Sequence, residues 1–341
     1  MERRSVLWSC VVAGLVTGSG LAIPSLARAK VTVGTSVVKP EAAIAFVEGP
    51  AWHKDGSLFF SDVENNRIMR LDSAGRTHVF RSPAGRANGL VFDAQGRLLA
   101  AEGGWAGGNR RVTRTEADGS ITVLADKFEG KRLNSPNDIT VDAKGRVYFT
   151  DPRYGDRSDL EQLDASGKPI EAVYRIDPDK SIHRLTTTEV ERPNGVAVSP
   201  DGKYLYVIDN QNSTAKGNRK VWRFDLQPDG NLVLASRKVI HDFSPGRGGD
   251  GMEIDSKGRL FVAAGFNLPN PPLETAATKA GIYVFSPEGK RVDFIPVPMD
   301  MVTNVAFGGN DLKTLYITAG HSVFSVRVDT PGNPVWPRPQ S

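Results

Sequence analysis

Arg192-Pro193-Asn194-Gly195-Val196-Ala197-Val198-Ser199-Pro200-Asp201-Gly202-Lys203-Tyr204-Leu205-Tyr206-Val207 reads as a short apolar strand, a tight turn on Gly202 and a second apolar strand. An amide, Asn194, stands just ahead of the first strand. Short apolar runs rich in β-branched and aromatic residues, bounded by Gly, Pro and Asp, are strand chemistry, and no long stretch of the chain has helical period.

The same phrase recurs along the chain. Glu48-Gly49, Asn88-Gly89, Asn137-Asp138, Asn194-Gly195 and Asp250-Gly251 are followed at one fixed offset by the turn glycines Gly56, Gly96, Gly145, Gly202 and Gly258. A sixth copy, Thr303-Asn304-Val305-Ala306-Phe307, keeps the strand and has Gly308-Gly309-Asn310-Asp311 as a looser turn. A third strand is legible after each pair, as in Arg67-Ile68-Met69-Arg70-Leu71 and Gly281-Ile282-Tyr283-Val284-Phe285, and a fourth in most copies. Copy starts are separated by 40, 49, 57, 56 and 54 residues. Four short strands per copy and six copies predict an all-β fold, a six-bladed β-propeller. One such domain is expected over 30–330. A lone blade cannot bury both faces, so stability needs the closed ring. The last copy runs out after three strands, and 31–46, ahead of copy one, contains the missing one. That segment is expected to complete the last blade and leave no open edge. The Pro-rich end, 331–341, is expected to be a loose tail.

Residues 1–29 read as a secretory signal peptide: Arg3 and Arg4 are basic, 6–23 is mostly apolar, and Ala27-Arg28-Ala29 is a small-x-small cleavage site. Arg3-Arg4-Ser5-Val6-Leu7 also fits a twin-arginine signal. A periplasmic or secreted protein is expected, free of the membrane once the segment is removed. Losing Glu2, Arg3, Arg4 and Arg28 lowers the formal net charge from +4 to +2. The basic balance is therefore no sign of nucleic-acid binding, and no basic run with interleaved aromatics appears. The single cysteine, Cys10, leaves with the segment. Disulfides and thiolate metal sites are excluded from what remains.

In a propeller the first strand of each blade lines the central channel. Glu48, Asn88, Asn137, Asn194, Asp250 and Asn304 open those strands, which predicts a ring of oxygen donors at one mouth. Hard cations take oxygen ligands, and two carboxylates balance one divalent charge. None of the five histidines holds a ring position, which argues against zinc. For Asn88 and Asn304, a plain strand-starting turn is an equal alternative. The loops after the second strands, 103–110, 152–171, 210–219 and 265–280, are long and should cover this mouth as a lid.

Glu48-Gly49-Pro50-Ala51-Trp52, Ser135-Pro136-Asn137-Asp138, Phe149-Thr150-Asp151-Pro152-Arg153-Tyr154-Gly155, Arg192-Pro193-Asn194-Gly195 and Asp250-Gly251-Met252 together resemble the SMP-30/gluconolactonase/luciferin-regenerating-enzyme-like family. The resemblance covers about 40–328 and is nearest to the bacterial gluconolactonase branch. It implies a carboxylic ester hydrolase that opens a small sugar lactone such as gluconolactone. It also implies a divalent metal, with Ca²⁺ favoured over Mg²⁺, Mn²⁺ and Zn²⁺. The implied metal ligands are Glu48, Asn137, Asn194 and Asp250. Some animal relatives carry an arginine two residues before the Asn137 position; Ser135 stands there, so their sugar contacts do not carry over. Asn88, Asn137 and Tyr154 are the expected substrate contacts. Asp250 is the expected catalytic residue, a ligand-shell carboxylate that takes a proton from water, with pure ligation as the alternative. Two other functions remain open from sequence. One is hydrolysis of another ester or a phosphotriester at the same metal; the other is a non-catalytic extracellular binding propeller. Oligomeric state is left open.

Overall fold

Each repeated phrase forms a strand pair closed by its own tight turn. The structure, a computed structural model, describes residues 36–43 and 45–335. The expected signal peptide, 1–29, lies outside the described residues. In blade four Pro193–Val198 pairs antiparallel with Tyr204–Asn210, which pairs with Arg219–Leu226, and that with Leu232–Asp242. The same meander is built in blade one (Val47–Trp52, Leu58–Asp62, Arg67–Leu71, Thr77–Arg81), blade two (Ala87–Phe92, Leu98–Glu102, Arg111–Thr115, Ile121–Ala125) and blade three (Ile139–Val141, Val147–Asp151, Ala172–Ile176, Ile182–Arg184). Blade five follows (Gly249–Ile254, Leu260–Ala264, Gly281–Phe285, Arg291–Pro296), and blade six begins with Val302–Gly308, Thr314–Ala319 and Ser322–Arg327.

The turns between first and second strands share a side-chain device. Asp93 Oδ1 accepts from the backbone N–H of Gln95 (3.0 Å) and Arg97 (2.9 Å), and its Oδ2 accepts from Arg97 Nε at 2.8 Å. Asp142 with Arg146 and Asp255 with Arg259 repeat the arrangement. The carboxylate satisfies turn donors that no strand reaches, and the glycine between takes the positive φ that a side chain would resist.

The core lies between blades rather than within them. Leu99, Ile139 and Phe149 join blades two and three, and Tyr206, Leu260 and Phe285 join four and five. Val47, Leu58 and Phe60 pack with Val323, joining blade one to blade six. Each such side chain contributes about 1.5–3 kcal/mol on burial, and the contribution exists only with the neighbouring blade in place. Lys39–Ala43 is the outermost strand of blade six, with Lys39 opposite Ser325 and Ala43 opposite Ser322. The strand sought in 31–46 is therefore the one that completes the last blade.

The end of the chain departs from expectation. Instead of hanging free from residue 331, the segment 331–335 is held on the face remote from the donors. The Ser256 N–H donates to Pro331 O (2.9 Å), the Gly332 N–H donates to Leu312 O (3.0 Å), and Gly332 bridges to Asp255. A Cβ on residue 332 would lie 2.3 Å from Phe307 Cβ, so glycine lets the chain cross there. Asn333, Pro334 and Val335 border a cavity of about 280 Å³ at the floor of the channel, with Val91, Thr140 and Glu253. The remainder, 336–341, lies outside the described residues.

Among the described residues, Glu253 accepts a hydrogen bond only from the adjacent Ile254 N–H, at 3.0 Å. Burial, followed by the charge of Asp138, pushes its carboxyl up to about 7. The folded protein therefore keeps a proton that the unfolded chain has released above its ordinary value of 4.5. Stability should fall as pH rises through that window. Glu253→Gln should remove this residue's share of the fall, leaving that of the other buried carboxyls such as Asp138. In urea melts the variant should match the parent near pH 4.5 and exceed it at pH 8 by on the order of 2 kcal/mol. An identical difference at both pH values would refute the assignment.

Candidate functional site

The donors are aimed by irregularities in the inner strands. Register shifts fall between Glu48 and Ala51, Ala87 and Leu90, Pro193 and Val196, Gly249 and Met252, and Val302 and Asn304. A bulge re-aims a side chain that a regular strand would send into the sheet. In blade three the Asn137 N–H donates to Thr150 O (2.9 Å), and the Thr150 N–H donates to Asp138 O (3.0 Å). The glycines after the donors let blade touch blade. A Cβ on Gly49 would lie 2.0 Å from Asn88 O, on Gly89 2.7 Å from Asn137 O, on Gly195 2.7 Å from Asp250 O, and on Gly251 2.0 Å from Asn304 Cγ. The donors therefore follow one another around the mouth in chain order. Hydroxyls on second strands fix their backbones: Ser61 Oγ donates to Asn88 O (2.7 Å) and Thr150 Oγ1 to Asn194 O (2.6 Å).

Glu48 and Asp250 are 5% and 6% exposed. Burial drives the Glu48 carboxyl well above the usual carboxylate range; the charges of Asp250 and Asp138 push it further, and Arg247 opposes them. Asp250 is likewise raised by burial, against the Arg247 guanidinium and a hydrogen bond from Asn194. Asn194 Nδ2 also donates to Tyr154 OH at 3.0 Å, and Tyr154 OH donates to Asn210 O at 3.4 Å. The Arg192 guanidinium lies over the Tyr154 ring, 5.2 Å from its centroid. Burial, then the Asp250 charge, raises the Tyr154 hydroxyl far above its ordinary value, so it remains a neutral donor and acceptor.

Glu48, Asn194, Asp250 and Tyr154 thus come together as read from the sequence. Asn88 and Asn137 are half-buried at the same mouth. Asn304 does not offer its amide to the mouth. Its Nδ2 donates to Asp138 Oδ1 (3.2 Å) across the channel, and its Oδ1 accepts from the Val305 N–H (2.8 Å). The expected ring of six donors is therefore reduced, because one amide is consumed by a carboxylate. Asp138 occupies the position that is glycine in four other copies. It accepts from the Val196 N–H (3.1 Å) as well as Asn304, and burial lifts its carboxyl to about 7. That break in the repeat was the available signal for it.

The loops expected to form a lid reach this mouth. Trp105 from 103–110 packs where a Cβ on Gly155 would stand, at 2.6 Å. Tyr154 comes from 152–171 and Asn210 from the start of 210–219. From 265–280, Phe266 stacks on Arg247 (4.9 Å) and Glu274 adds its charge to Asp250. Arg247 itself was not singled out in the sequence. It comes from the connection between blades four and five, and Arg247 Nη2 donates to Asp250 Oδ2. Among the described residues no three His, Cys, Asp or Glu side chains gather as a metal-binding group; the carboxylates here have amides as neighbours. His53, His78 and His183 pair with Asp55, Asp72 and Asp177 in turns and outer strands.

This arrangement matches known proteins over most of its length. A gluconolactonase of Zymomonas mobilis subsp. mobilis is 31% identical, covering 88% of this chain and 83% of its own. The pentonolactonase XacC of Haloferax volcanii is 28% identical, covering 80% of each. A solved gluconolactonase of Xanthomonas campestris superposes with a TM-score of 0.71 at 28% identity, covering 88% of this chain and 91% of that one. The model of the SMP-30/gluconolactonase/LRE-like region matches residues 46–321. With that match spanning blades one to five, the first two strands of blade six and the donor mouth, the chain belongs to the SMP-30/gluconolactonase/LRE-like family.

Proposed function

We propose that this chain is a lactonase that hydrolyses a small sugar lactone, of the gluconolactone kind, to the open acid, and that it does so with a divalent metal. The observation that carries the reading is the Glu48–Asp250 carboxylate pair, buried at a channel mouth beneath long loops. Each charge raises the cost of the other, and a hard divalent cation offsets both. Asn194, bonded to Asp250, and the half-buried Asn137 supply amide oxygens beside them. This donor set fits Ca²⁺, with Mg²⁺, Mn²⁺ and Zn²⁺ as competitors. Glu48, Asn137, Asn194 and Asp250 would hold it.

A lactone is an ester closed in a ring. When bound, the metal supplies Lewis acidity that polarises the carbonyl and stabilises the oxyanion. Asp250 accepts a proton from the attacking water on the carboxylate oxygen that Arg247 does not hold, and returns it to the ring oxygen as the acyl C–O bond breaks, leaving the open hydroxy acid. Tyr154, kept neutral, and Asn88 and Asn137 at the rim orient the sugar hydroxyls. The lid loops exclude bulk water, which strengthens these interactions. Export through 1–29 would place the activity in the periplasm or outside the cell.

The test is ring opening of D-glucono-1,5-lactone, read as acid release in a weakly buffered indicator with spontaneous opening subtracted. The protein is stripped with EDTA and then given Ca²⁺ back. Activity should vanish on stripping and return with the metal. A phosphotriester turned over much faster than the lactone would overturn the substrate class. Unchanged activity after stripping would overturn the metal.

A further inference from the structure

Arg247 is a cation buried beside a carboxylate pair whose own chemistry calls for a divalent one. It is 5% exposed. A guanidinium carries five N–H donors and no acceptor. Here Nη2 donates to Asp250 Oδ2, Nη1 donates to the Met301 thioether at 2.8 Å, and the plane stacks on Phe266. Sulfur is a weak acceptor, and Nε has no partner among the described residues. Its one ionic bond is therefore to Asp250, and its charge also reaches Glu48.

The backbone is shaped to deliver this contact. Between Arg247 and Asp250 stand Gly248 and Gly249. A Cβ on Gly248 would lie 2.8 Å from Asn210 Oδ1, and one on Gly249 would lie 2.9 Å from Val262 Cγ1. The chain is pressed between Asn210 of blade four and Val262 of blade five while the arginine turns back to the aspartate. The connection belongs to no blade, so the ring itself does not require an arginine there. Glu274, buried on the next loop with Oε1 unpartnered, adds negative charge at Asp250. Glu48, Asp250 and Glu274 thus set three buried carboxyls around the one guanidinium of Arg247.

We infer that Arg247 is a positioning residue: it restricts Asp250 to one free oxygen and holds the divalent-cation affinity of the mouth below what the carboxylates alone would give. The inference rests on the metal reading proposed above. It follows from two physical facts. An oxygen engaged by a charge-assisted hydrogen bond is poorly available as a second ligand atom. A fixed positive charge bonded to one of the carboxylates would repel a cation held by them in a poorly solvated pocket. The same bond fixes the orientation of Asp250 toward the attacking water. Removing the guanidinium should therefore move two quantities in opposite directions, with metal binding tighter and turnover slower.

The experiment is calorimetric Ca²⁺ titration of EDTA-stripped protein, with thermal melts and lactone kinetics on the same samples. Arg247→Gln should bind Ca²⁺ at least tenfold more tightly than the parent, with kcat down at least tenfold and KM changed less. Its stripped form should melt lower than the stripped parent, and saturating Ca²⁺ should restore the difference through linkage. Arg247→Met keeps the packing on Phe266 and Met301 and should also bind more tightly, which covers a failure of the glutamine variant to fold. Arg247→Lys keeps the charge and should stay within about threefold of the parent. A parent that binds Ca²⁺ with glutamine and methionine variants that bind no tighter would overturn the inference and leave the metal reading standing. No binding by the parent or any variant would overturn both.

Discussion

Asp250→Asn should cut lactone hydrolysis about a thousandfold while the propeller stays folded. The substitution keeps the shape of the side chain and an oxygen that can still accept from Arg247 Nη2. What it removes is the charge that takes a proton from water and helps hold a cation. Removing that charge has opposed effects on stability. Glu48 is relieved of its nearest like charge. Arg247 loses its ionic partner, and an unpaired buried charge is costly. The thermal midpoint should accordingly move by only a few degrees. Initial rates with spontaneous opening subtracted, together with a melting curve, decide the matter. A variant keeping more than a tenth of the parent rate would remove Asp250 from its chemical role. A variant that no longer melts cooperatively would show that the carboxylate holds the ring together, the behaviour of a binding propeller.

The second large effect is on stability and comes from a glycine. Gly49→Ala should destabilise the protein by about 4 kcal/mol and lower the midpoint by roughly 10 °C. Gly49 combines a φ of 45° with a Cβ position only 2.0 Å from the backbone oxygen of Asn88. That oxygen belongs to the next blade and is itself bonded by Ser61 Oγ, so it cannot withdraw without breaking the bond. Alanine would push blades one and two apart at the mouth, where Glu48 stands. Gly75, at an exposed turn with nothing near its Cβ position, is the control: Gly75→Ala pays only the positive-φ strain. Equal losses at the two positions would show that blade contact is not what makes Gly49 necessary.

Much of this was legible because the propeller writes its architecture as repetition. The third strands Arg67–Leu71, Ala172–Ile176 and Gly281–Phe285 begin and end where the apolar runs do. The donors were legible because they hold one position in a repeat, and the closing strand because blade six was one short. Three things were not. Asn304 is spent on Asp138, 166 residues earlier, and no periodicity encodes a bond across the channel. Arg247 sits in a connection between blades, where length and residues vary from copy to copy and no fixed offset marks it. The segment 331–335 reads as Pro-rich tail, yet a glycine passing Phe307 lets it pack. In each case the decisive contact joins segments that only the closed ring brings together.

The pairing of Lys39–Ala43 with Ser322–Arg327 has a consequence for how the protein is made. The first of the described strands to leave the ribosome finds its partner only about 280 residues later in the chain. Until then blade six lacks its outer edge, and the contact of Val47, Leu58 and Phe60 with Val323 cannot form. A nascent chain can assemble blades one to five in sequence, each against the last, but it cannot seal them. Closure waits for Ser322–Arg327, so a chain truncated before Ser322 should be an open arc with apolar ends, a target for proteases rather than a smaller enzyme.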